Sequence, residues 1–218
     1  MNFIVVGANG RMGKAVICEL KNSKDNYFGV DIDKSEKVVI DIFEIKEKCH
    51  ALIDFSVAND RTKYIEYCKQ NKLMYACFST NVSNEDLAKL KELSNLVPVI
   101  ICKNSSVMMN IMFKIISMIS KKLKHADVLL TDVHHKFKKD SPSGTAKQIL
   151  KIVENTNKNV QINVARVGNV VGTHEISFFL DDEILTIKHT AYSKRIFAIG
   201  AIKIVKKYKN KKCGLFEI

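Results

Sequence analysis

The amino-terminal segment reads Phe3-Ile4-Val5-Val6-Gly7-Ala8-Asn9-Gly10-Arg11-Met12-Gly13. Its short apolar run is typical of a buried parallel strand, and the residues after Gly13 continue in a helical pattern. A strand, a glycine-rich turn and a helix in this order are the context of a dinucleotide-binding turn, which places a diphosphate at the helix amino terminus. Arg11 stands where a guanidinium can face phosphate. The alternative is an ordinary turn between a strand and a helix.

Acidic residues end the second predicted strand, at residues 27–33. In dinucleotide-binding folds, an acid about 20 residues beyond the last glycine binds the adenosine ribose. Asp31 lies 18 residues beyond Gly13 (31 − 13), and Asp33 lies 20 residues beyond it (33 − 13). We favour Asp33 because it is nearer the strand end. An acid here favours NAD, while the neighbouring Lys34 leaves NADP open.

Strands and helices alternate up to about residue 105. Further strands are predicted at 51–56, 74–78 and 98–102, with helices at 59–72 and 85–93. This alternation predicts an α/β fold whose amino-terminal part is a Rossmann-like, doubly wound parallel sheet. Because such sheets bind ligands beyond the carboxyl ends of their strands, Phe55 and Ser56 are predicted to face a cofactor.

The pattern changes after residue 106. A long helix is predicted at 107–123, with an apolar stripe that we assign to packing: Met112, Ile115, Ile116, Ile119 and Leu123. Strands follow at 126–134, 160–167, 175–180 and 185–191, the last two as an antiparallel hairpin. We therefore expect a second α+β domain with an open mixed or antiparallel sheet at 106–194. A helix at 197–208 returns to the first domain, which comprises 1–105 plus 195–218.

The segment 132–146 carries the most concentrated chemistry: DVHHKFKKDSPSGTA. Its Ser-Pro-Ser-Gly-Thr run predicts a tight turn that opens a helix. Backbone N–H groups at Ser143, Gly144 and Thr145 would then form an anion site at the positive end of the helix dipole. His135 and Lys138 add donors and charge. These features indicate a pocket for carboxylate or phosphate with a proton donor nearby, although a solvated basic loop is the alternative.

Composition narrows the function classes. The 218 residues carry a net charge of +12, but the lysines are scattered, which favours small anionic ligands over nucleic acid. No apolar stretch approaches the roughly 20 residues needed to span a membrane. The six cysteines form no CxxC pair and no secretion signal precedes them, so a cytoplasmic protein with reduced thiols is expected.

Four histidines raise the alternative of a metal enzyme: His134, His135, His174 and His189. Adjacent histidines rarely share one metal, and no carboxylate stands at a spacing that would complete a site. We therefore predict no metal.

Several motifs, in the same order, resemble those of the 4-hydroxy-tetrahydrodipicolinate reductases of bacterial diaminopimelate and lysine biosynthesis. They are Gly7-x-x-Gly10-Arg11-Met12-Gly13, Ile53-Asp54-Phe55-Ser56, His134-His135-x-x-Lys138-x-Asp140-x-Pro142-Ser143-Gly144-Thr145-Ala146, Arg166-x-Gly168-x-x-x-Gly172-x-His174 and Phe197-Ala198-x-Gly200-Ala201. The resemblance runs over nearly the whole chain. It implies reduction of 4-hydroxy-tetrahydrodipicolinate by NADH or NADPH with loss of water, in a protein that is usually a homotetramer.

The resemblance also implies residue roles. His134 and Lys138 are the candidate catalytic residues. His135, Ser143, Gly144 and Thr145 are expected to bind the carboxylates of the dianionic substrate. The expected cofactor-binding residues are Gly7, Asn9, Gly10, Arg11, Met12, Asp33, Phe55, Ser56, Phe78, Thr80 and Asn104.

This chain departs from the family pattern near the expected nicotinamide position. The family usually has Gly-Thr-Thr-Gly where this chain has Phe78-Ser79-Thr80-Asn81, and a glycine where it has Met108. A side chain in place of glycine can fill the space that a ligand needs. The alternative function is therefore a non-catalytic NAD(P)-binding sensor of the same fold.

Overall fold

The computed structural model describes residues 1–58, 60–79 and 82–218. The chain divides into two compact units, one of Met1–Ser106 with Arg195–Ile218 and one of Val107–Lys194. In chain order the strands are β1 (Asn2–Val6), β2 (Asn26–Val30), β3 (Val38–Val39), β4 (Ala51–Asp54), β5 (Met74–Cys77), β6 (Pro98–Ile101), β7 (Asp127–His134), β8 (Val160–Arg166), β9 (Gly172–Phe179), β10 (Ile184–Ala191) and β11 (Gly214–Glu217). The helices are α1 (Arg11–Lys21), α2 (Thr62–Gln70), α3 (Asn84–Leu93), α4 (Val107–Lys122), α5 (Gly144–Val153) and α6 (Arg195–Tyr208), with a 3₁₀ turn at Ile42–Glu44. Among the described residues, none of these helices is both long enough and apolar enough to cross a membrane.

The first unit is built on a parallel sheet, to which the described residues contribute seven strands in the order β11-β6-β5-β4-β1-β2-β3. From the centre of the sheet, β1, β2 and β3 follow one another towards one edge, and β4, β5 and β6 follow one another towards the other edge. Strand order therefore reverses between β1 and β4, where β1 leads into the glycine-rich turn. The predicted Rossmann-like, doubly wound sheet is confirmed, and ligands of such sheets bind at this reversal.

Helices cover both faces of this sheet. Val16 and Leu20 of α1 pack with Ala198 of α6 on one face, while Tyr64 of α2 and Leu90 of α3 pack on the other. Burial on both faces explains why β1 and β4 are apolar at nearly every position rather than alternating. Helix α6 belongs to the first unit because its apolar face packs beside α1.

Some boundaries differ from the sequence prediction. Strand β2 ends at Val30 instead of residue 33, so both candidate ribose-binding acids lie beyond the strand. Helix α2 begins at Thr62. The short edge strands β3 and β11 were not predicted, because two and four residues are too few to show a period and their pairing depends on the neighbouring strand.

The second unit contains a sheet in the order β10-β9-β7-β8. Strands β7 and β8 are parallel, whereas β9 is antiparallel to both β7 and β10. The mixed sheet and the β9–β10 hairpin are therefore confirmed. Strand β9 begins at Gly172, earlier than the predicted residue 175, because Gly172 and His174 pair with Ala191 and His189 of β10.

One face of this mixed sheet is covered by α4 and α5. Met112 and Ile116 of the predicted apolar stripe are buried there, together with Met109 and Phe113. Ile115 is 36% exposed, so its assignment to the core was wrong. The remaining buried core residues come from α5, from Ala126 just before β7, and from the inward positions of β7 and β9, which alternate strictly with outward ones.

A close approach inside the first unit gives a test of this packing. A Cβ atom added at Gly200 of α6 would lie 1.7 Å from the carbonyl oxygen of Ser105. We expect Gly200→Ala to lower the free energy of unfolding by about 1–2 kcal/mol, because overpacking costs roughly 1–3 kcal/mol and exceeds the ~1 kcal/mol that alanine gains over glycine in a helix. Urea denaturation measures this. Lys203→Ala, an exposed change in the same helix, is the control and should be nearly neutral.

Candidate active site

The glycine-rich turn of the first unit has the tight geometry that a diphosphate requires. Gly7 has a positive φ of 77°, and the N–H of Gly10 donates to the Gly7 carbonyl at 3.1 Å. A Cβ atom at Gly13 would lie only 2.0 Å from that carbonyl oxygen. Helix α1 then begins at Arg11 with Gly10 as its N-cap, a residue without a capping side chain. The N–H groups of its first turn, including that of Met12, are thus directed at the space an anion would occupy.

Asn9 fastens this turn to the residues that follow β2. Its backbone N–H donates to Asp31 Oδ2 at 2.7 Å, and its side-chain amide donates to the Asp33 carbonyl at 2.7 Å. Asp31 Oδ1 also accepts from the N–H of Ile32. The Asp31 carboxylate is therefore engaged in holding the turn, while the side chain of Asp33 is exposed. This geometry leaves Asp33 as the acid better placed to meet a ligand.

The strand ends next to this turn form an aromatic layer. The rings of Phe55 and Phe78 stack at a centroid distance of 5.1 Å and an interplanar angle of 17°. Phe78 is 5% exposed and belongs to the core on that face of the sheet. Asn104, which follows β6, accepts from the N–H of Ser106 through Oδ1. Thr80, also expected to bind the cofactor, lies outside the described residues.

In the second unit a fully buried carboxylate, Asp132, organises the polar groups. Its Oδ1 accepts from Ser143 Oγ at 2.9 Å and lies 3.3 Å from His174 Nε2. Its Oδ2 accepts from the Ser143 N–H at 2.9 Å and from Arg166 at 3.1 Å. His134 Nδ1 lies 2.9 Å from Oδ1, an ion-pair distance, although its N–H is not aligned for a hydrogen bond. Asp132 thus connects β7, β8, β9 and the start of α5.

These contacts determine the charge of Asp132. Burial by itself raises the pKa of a carboxyl group, but the His134, His174 and Ser143 contacts more than offset it, so the pKa of Asp132 lies well below its ordinary value. At neutral pH the side chain is an anion paired with Arg166. His189, opposite His174 on β10, has a lowered pKa because of burial and, secondarily, the charge of His174.

The orientation of His134 depends on a glycine. A Cβ atom at Gly172 would lie 2.9 Å from His134 Nε2, so only glycine leaves room for the ring in this position. The His174 ring packs against it edge to face, with the centroids 5.2 Å apart. His134 is therefore held by packing from β9 and by the charge of Asp132 on its own strand.

Lys138 and the start of α5 lie on the loop that follows His134. The Lys138 ammonium is 2.7 Å from Asp140 Oδ1. Burial alone would raise the pKa of Asp140, but Lys138 and the N–H of Gly144 lower it below its usual range. The Lys138 N–H donates to the His135 carbonyl at 3.1 Å, which closes a turn between the two candidate residues. Gly144 is exposed, and Thr145 and His135 are half-buried.

Ser143 requires a reassignment. It was expected to bind a substrate carboxylate, but it is 2% exposed and both its N–H and its hydroxyl donate to Asp132. Its Oγ also accepts from the N–H of Ala146 as the N-cap of α5. Ser143 is the N-cap residue of α5 and faces the buried Asp132. Both of its hydrogen-bond donors are therefore used within the protein instead of binding a ligand. Ser143 therefore supports the site from beneath, and Gly144 and Thr145 remain at its surface.

The sequence reasoning against a metal was also wrong in one respect, because the fold does bring a carboxylate to the histidines. Ligand atoms of Asp132, His134 and His174 lie within 4.8 Å of one another. However, the Asp132 oxygens already accept from Ser143 and from the cation of Arg166. A guanidinium on the same carboxylate opposes the binding of a second cation, so this geometry favours an ion-pair network.

Sequence reasoning assigned no role to Asp132 or Arg166. The sequence did contain a signal for Asp132. Inward and outward positions alternate along β7, and Asp132 and His134 continue the inward series that starts with Val128 and Leu130. A charged residue in such a series indicates a buried partner. Its partner His174 could not be identified in the same way, because that pairing depends on the register of β7 and β9.

The lowered pKa of Asp132 predicts acid-sensitive stability. A carboxyl group whose pKa is lower in the folded state stabilises the fold above its unfolded value of 3.8, and this contribution is lost as the pH falls below 3.8 towards the folded value. We expect the urea midpoint to fall between about pH 4 and pH 2, and less steeply in Asp132→Asn. At neutral pH this variant should lose about 3–5 kcal/mol, because it breaks a buried ion pair. Asp127→Asn, at the exposed start of the same strand, is the control. Equal acid profiles for wild type and Asp132→Asn would contradict this account.

Comparison with known proteins identifies the family and supports the fold. Residues 1–105 match the family model "Dihydrodipicolinate reductase, N-terminus", and residues 108–218 match "Dihydrodipicolinate reductase, C-terminus". The chain is 30% identical to 4-hydroxy-tetrahydrodipicolinate reductase of Clostridium tetani, covering 100% of this chain and 95% of that protein. It is 34% identical to the Brachyspira hyodysenteriae enzyme of the same name, covering 79% of this chain and 82% of that protein. Dipicolinate-bound dihydrodipicolinate reductase from Paenisporosarcina sp. TG-14 has a similar structure, with a TM-score of 0.82 at 17% identity, covering 100% of this chain and 97% of that chain. The chain therefore belongs to the dihydrodipicolinate reductase family.

Proposed function

We propose that this protein reduces 4-hydroxy-tetrahydrodipicolinate to tetrahydrodipicolinate with NAD(P)H and loss of water, in diaminopimelate and lysine biosynthesis. The main structural support for this proposal is the arrangement of groups around Asp132. The buried Asp132 network holds His134 on the same strand and loop that present Lys138 and the amino terminus of α5. This arrangement combines a proton donor with an anion site, which is what reduction of a dianionic imine needs.

The chemistry assigns a task to each of these groups. When bound, the nicotinamide cofactor supplies the hydride. As hydride reaches a carbon conjugated to the substrate imine, negative charge develops towards the nitrogen. His134 and Lys138 are the residues that we propose neutralise it by donating a proton. Asp140 keeps the Lys138 ammonium close to the site through their ion pair.

We assign the substrate carboxylates to the exposed part of the α5 amino terminus. Thr145 and Gly144, whose N–H also contacts Asp140, supply backbone donors at the positive end of the helix dipole, and His135 and Lys138 add charge-assisted hydrogen bonds. Ser143 acts indirectly, because its donors hold Asp132. A substrate with two carboxylates fits a pocket made of backbone N–H groups and cationic side chains.

The cofactor is assigned to the glycine-rich turn of the first unit. At Gly7 and Gly13 a Cβ atom would meet the protein's own backbone, so only glycine allows the tight turn to which we assign the diphosphate. Gly10, Arg11 and Met12 line the same turn, while Asn9 braces it. We propose that Asp33 binds the adenosine ribose hydroxyls, which favours NADH, with NADPH accepted beside Lys34.

We further propose that the protein acts in the cytoplasm as a homotetramer assembled through the sheet of the second unit. Ile184, an exposed apolar side chain (61% exposed) on the face of that sheet turned away from α4 and α5, supports this. Light scattering measures the mass of the assembly, and a monomeric mass would contradict this assignment.

The sensor alternative has lost its main support. It was based on Phe78, Asn81 and Met108 in place of family glycines. The Phe78 ring packs into the core against Phe55 rather than projecting outwards. Asn81 lies outside the described residues, and the exposed Met108 alone does not argue against turnover.

Lys138→Ala tests the catalytic assignment. We expect kcat to fall by roughly 10²–10⁴-fold, the usual contribution of a positioned general acid, while the cofactor Kd stays unchanged. The assay follows reduced nicotinamide absorbance, with substrate generated by the preceding synthase. Lys139→Ala is the matched control, since this neighbouring lysine is exposed. Wild-type kcat in Lys138→Ala would remove the assignment.

Asp33→Ala tests the ribose contact. It should raise the KM for NADH several-fold, because the ribose hydroxyls lose their acceptor, and should raise the KM for NADPH less. Asp31→Ala is the comparison, and it should weaken both cofactors because Asp31 holds the turn itself. If Asp33→Ala affects NADH no more than NADPH, the ribose assignment is wrong.

A further inference from the structure

Arg61, just before α2, has a completely buried side chain in the first unit. Its Nε donates to Asp54 Oδ2 at 2.9 Å, and one terminal nitrogen donates to Asp86 Oδ2 at 3.0 Å. Asp54 ends β4 and Asp86 lies in the first turn of α3, so one guanidinium connects a strand end with two helix starts. Arg61 was not among the predicted site residues.

The same guanidinium also binds the backbone of the connection from β4 to α2. It donates to the Ala58 carbonyl at 2.9 Å and to the Ser56 carbonyl at 3.4 Å. The Arg61 N–H donates to Asp86 Oδ1 at 3.2 Å. Arg61 therefore restrains the connection at the carbonyl groups of Ser56 and Ala58 and at its end, where the Arg61 backbone itself is bound to Asp86.

Asp54 extends this set of contacts to Ser56 from the other side. Its Oδ1 accepts from the Ser56 N–H at 2.7 Å, and its Oδ2 accepts from the Tyr75 hydroxyl at 2.8 Å. Burial, and then the charge of Asp54, raise the pKa of Tyr75 well above its ordinary value, so the hydroxyl remains a donor. Ser56 is thus held through both its N–H and its carbonyl.

The held connection lies directly against the glycine-rich turn. A Cβ atom at Gly7 would be 3.1 Å from both Cα and N of Ser56. The neighbouring Phe55 stacks on Phe78. A shift of Phe55 and Ser56 would therefore change the wall of the turn to which we assign the cofactor diphosphate.

Burying these three charges is unfavourable unless each one is paired and hydrogen-bonded, and an apolar side chain would often fill such a core at lower cost. The contacts of Arg61 satisfy this condition, and they converge on one loop. A group that makes directional bonds to two successive parts of a loop restricts its backbone more than apolar packing does.

We propose that Arg61 is a positioning residue for the cofactor, which orders residues 55–58 against the glycine-rich turn before the cofactor arrives. This proposal rests on the proposed cofactor site. It predicts a specific kinetic pattern, since the loop faces the cofactor turn of the first unit and the proton donors belong to the second.

Arg61→Lys in the full-length protein is the test, because lysine keeps the charge and loses the fork that reaches several acceptors. We expect the Kd and KM for the cofactor to rise roughly tenfold, equivalent to about 1.4 kcal/mol, while kcat at saturating cofactor and the substrate KM stay close to wild type. Lys89→Met is the matched control. It removes a cation that contacts Glu85 and Thr62 on the same two helices without touching residues 55–58.

The outcomes separate the possibilities. A folded Arg61→Lys protein with wild-type cofactor Kd overturns the proposal, as does an equal loss in every kinetic constant, which would indicate general damage. If Arg61→Lys does not fold, hydrogen exchange of the Ser56 amide in the wild-type protein decides. Strong protection without cofactor supports the pre-ordered loop, and rapid exchange overturns it. Wild-type protein that binds neither NADH nor NADPH would instead contradict the proposed function, whatever the Ser56 amide shows.

Discussion

The carboxylate of Asp132 is a charge that water does not reach, and the polar architecture of the second unit follows from the need to satisfy it. An unpaired buried anion would be prohibitively unfavourable, so donors must come from every neighbouring element. Ser143 provides two from the start of α5, Arg166 provides one from β8, and His174 approaches from β9. The consequence is that α5, to whose amino terminus we assign the anion site, cannot move independently of the strand that carries His134. One interaction therefore fixes together His134, which we propose as a proton donor, and the helix start to which we assign the substrate carboxylates.

The first unit uses the same physical device for a different purpose. Asp54 is also a buried carboxylate at the carboxyl end of a strand, and Arg61 is the cation that satisfies it. In a parallel sheet, strand ends are where the backbone loses its ladder partners and where ligands bind. Charged groups placed just beneath these ends form directional hydrogen bonds to the loop backbone. Apolar packing alone would fix the conformation of these loops less tightly. Both reactive regions of this reductase are thus supported by a fully buried aspartate bound to an arginine.

One departure from the family pattern, Phe78, is accommodated by packing. Phe78 stands where related proteins have glycine, yet its ring turns into the core and stacks on Phe55. The backbone position is therefore kept while the side chain adds apolar contacts beneath it. This explains how the chain can differ at a glycine near the expected nicotinamide position and still belong to a family of NAD(P)H-dependent reductases. By contrast, Gly7, Gly13 and Gly172 are among the glycines at which a Cβ atom would meet backbone or the His134 ring.

The sequence alone predicted most elements in their order, the two sheet types and the candidate residues for chemistry, because hydrophobic period, glycine spacing and the segment 132–146 are local signals. The short edge strands β3 and β11 were missed. Nor did the sequence determine which polar residues support these candidate residues. Ser143 looked like a ligand-binding residue from its place at a helix start, and only its contact with Asp132 shows that its donors are used internally. Arg61 carried no local signal, and Arg166 stood in a family-like motif that gave it no role. Their roles come from strand order and register, which bring together residues far apart in the chain, and a buried charge can be recognised only when its surroundings are known.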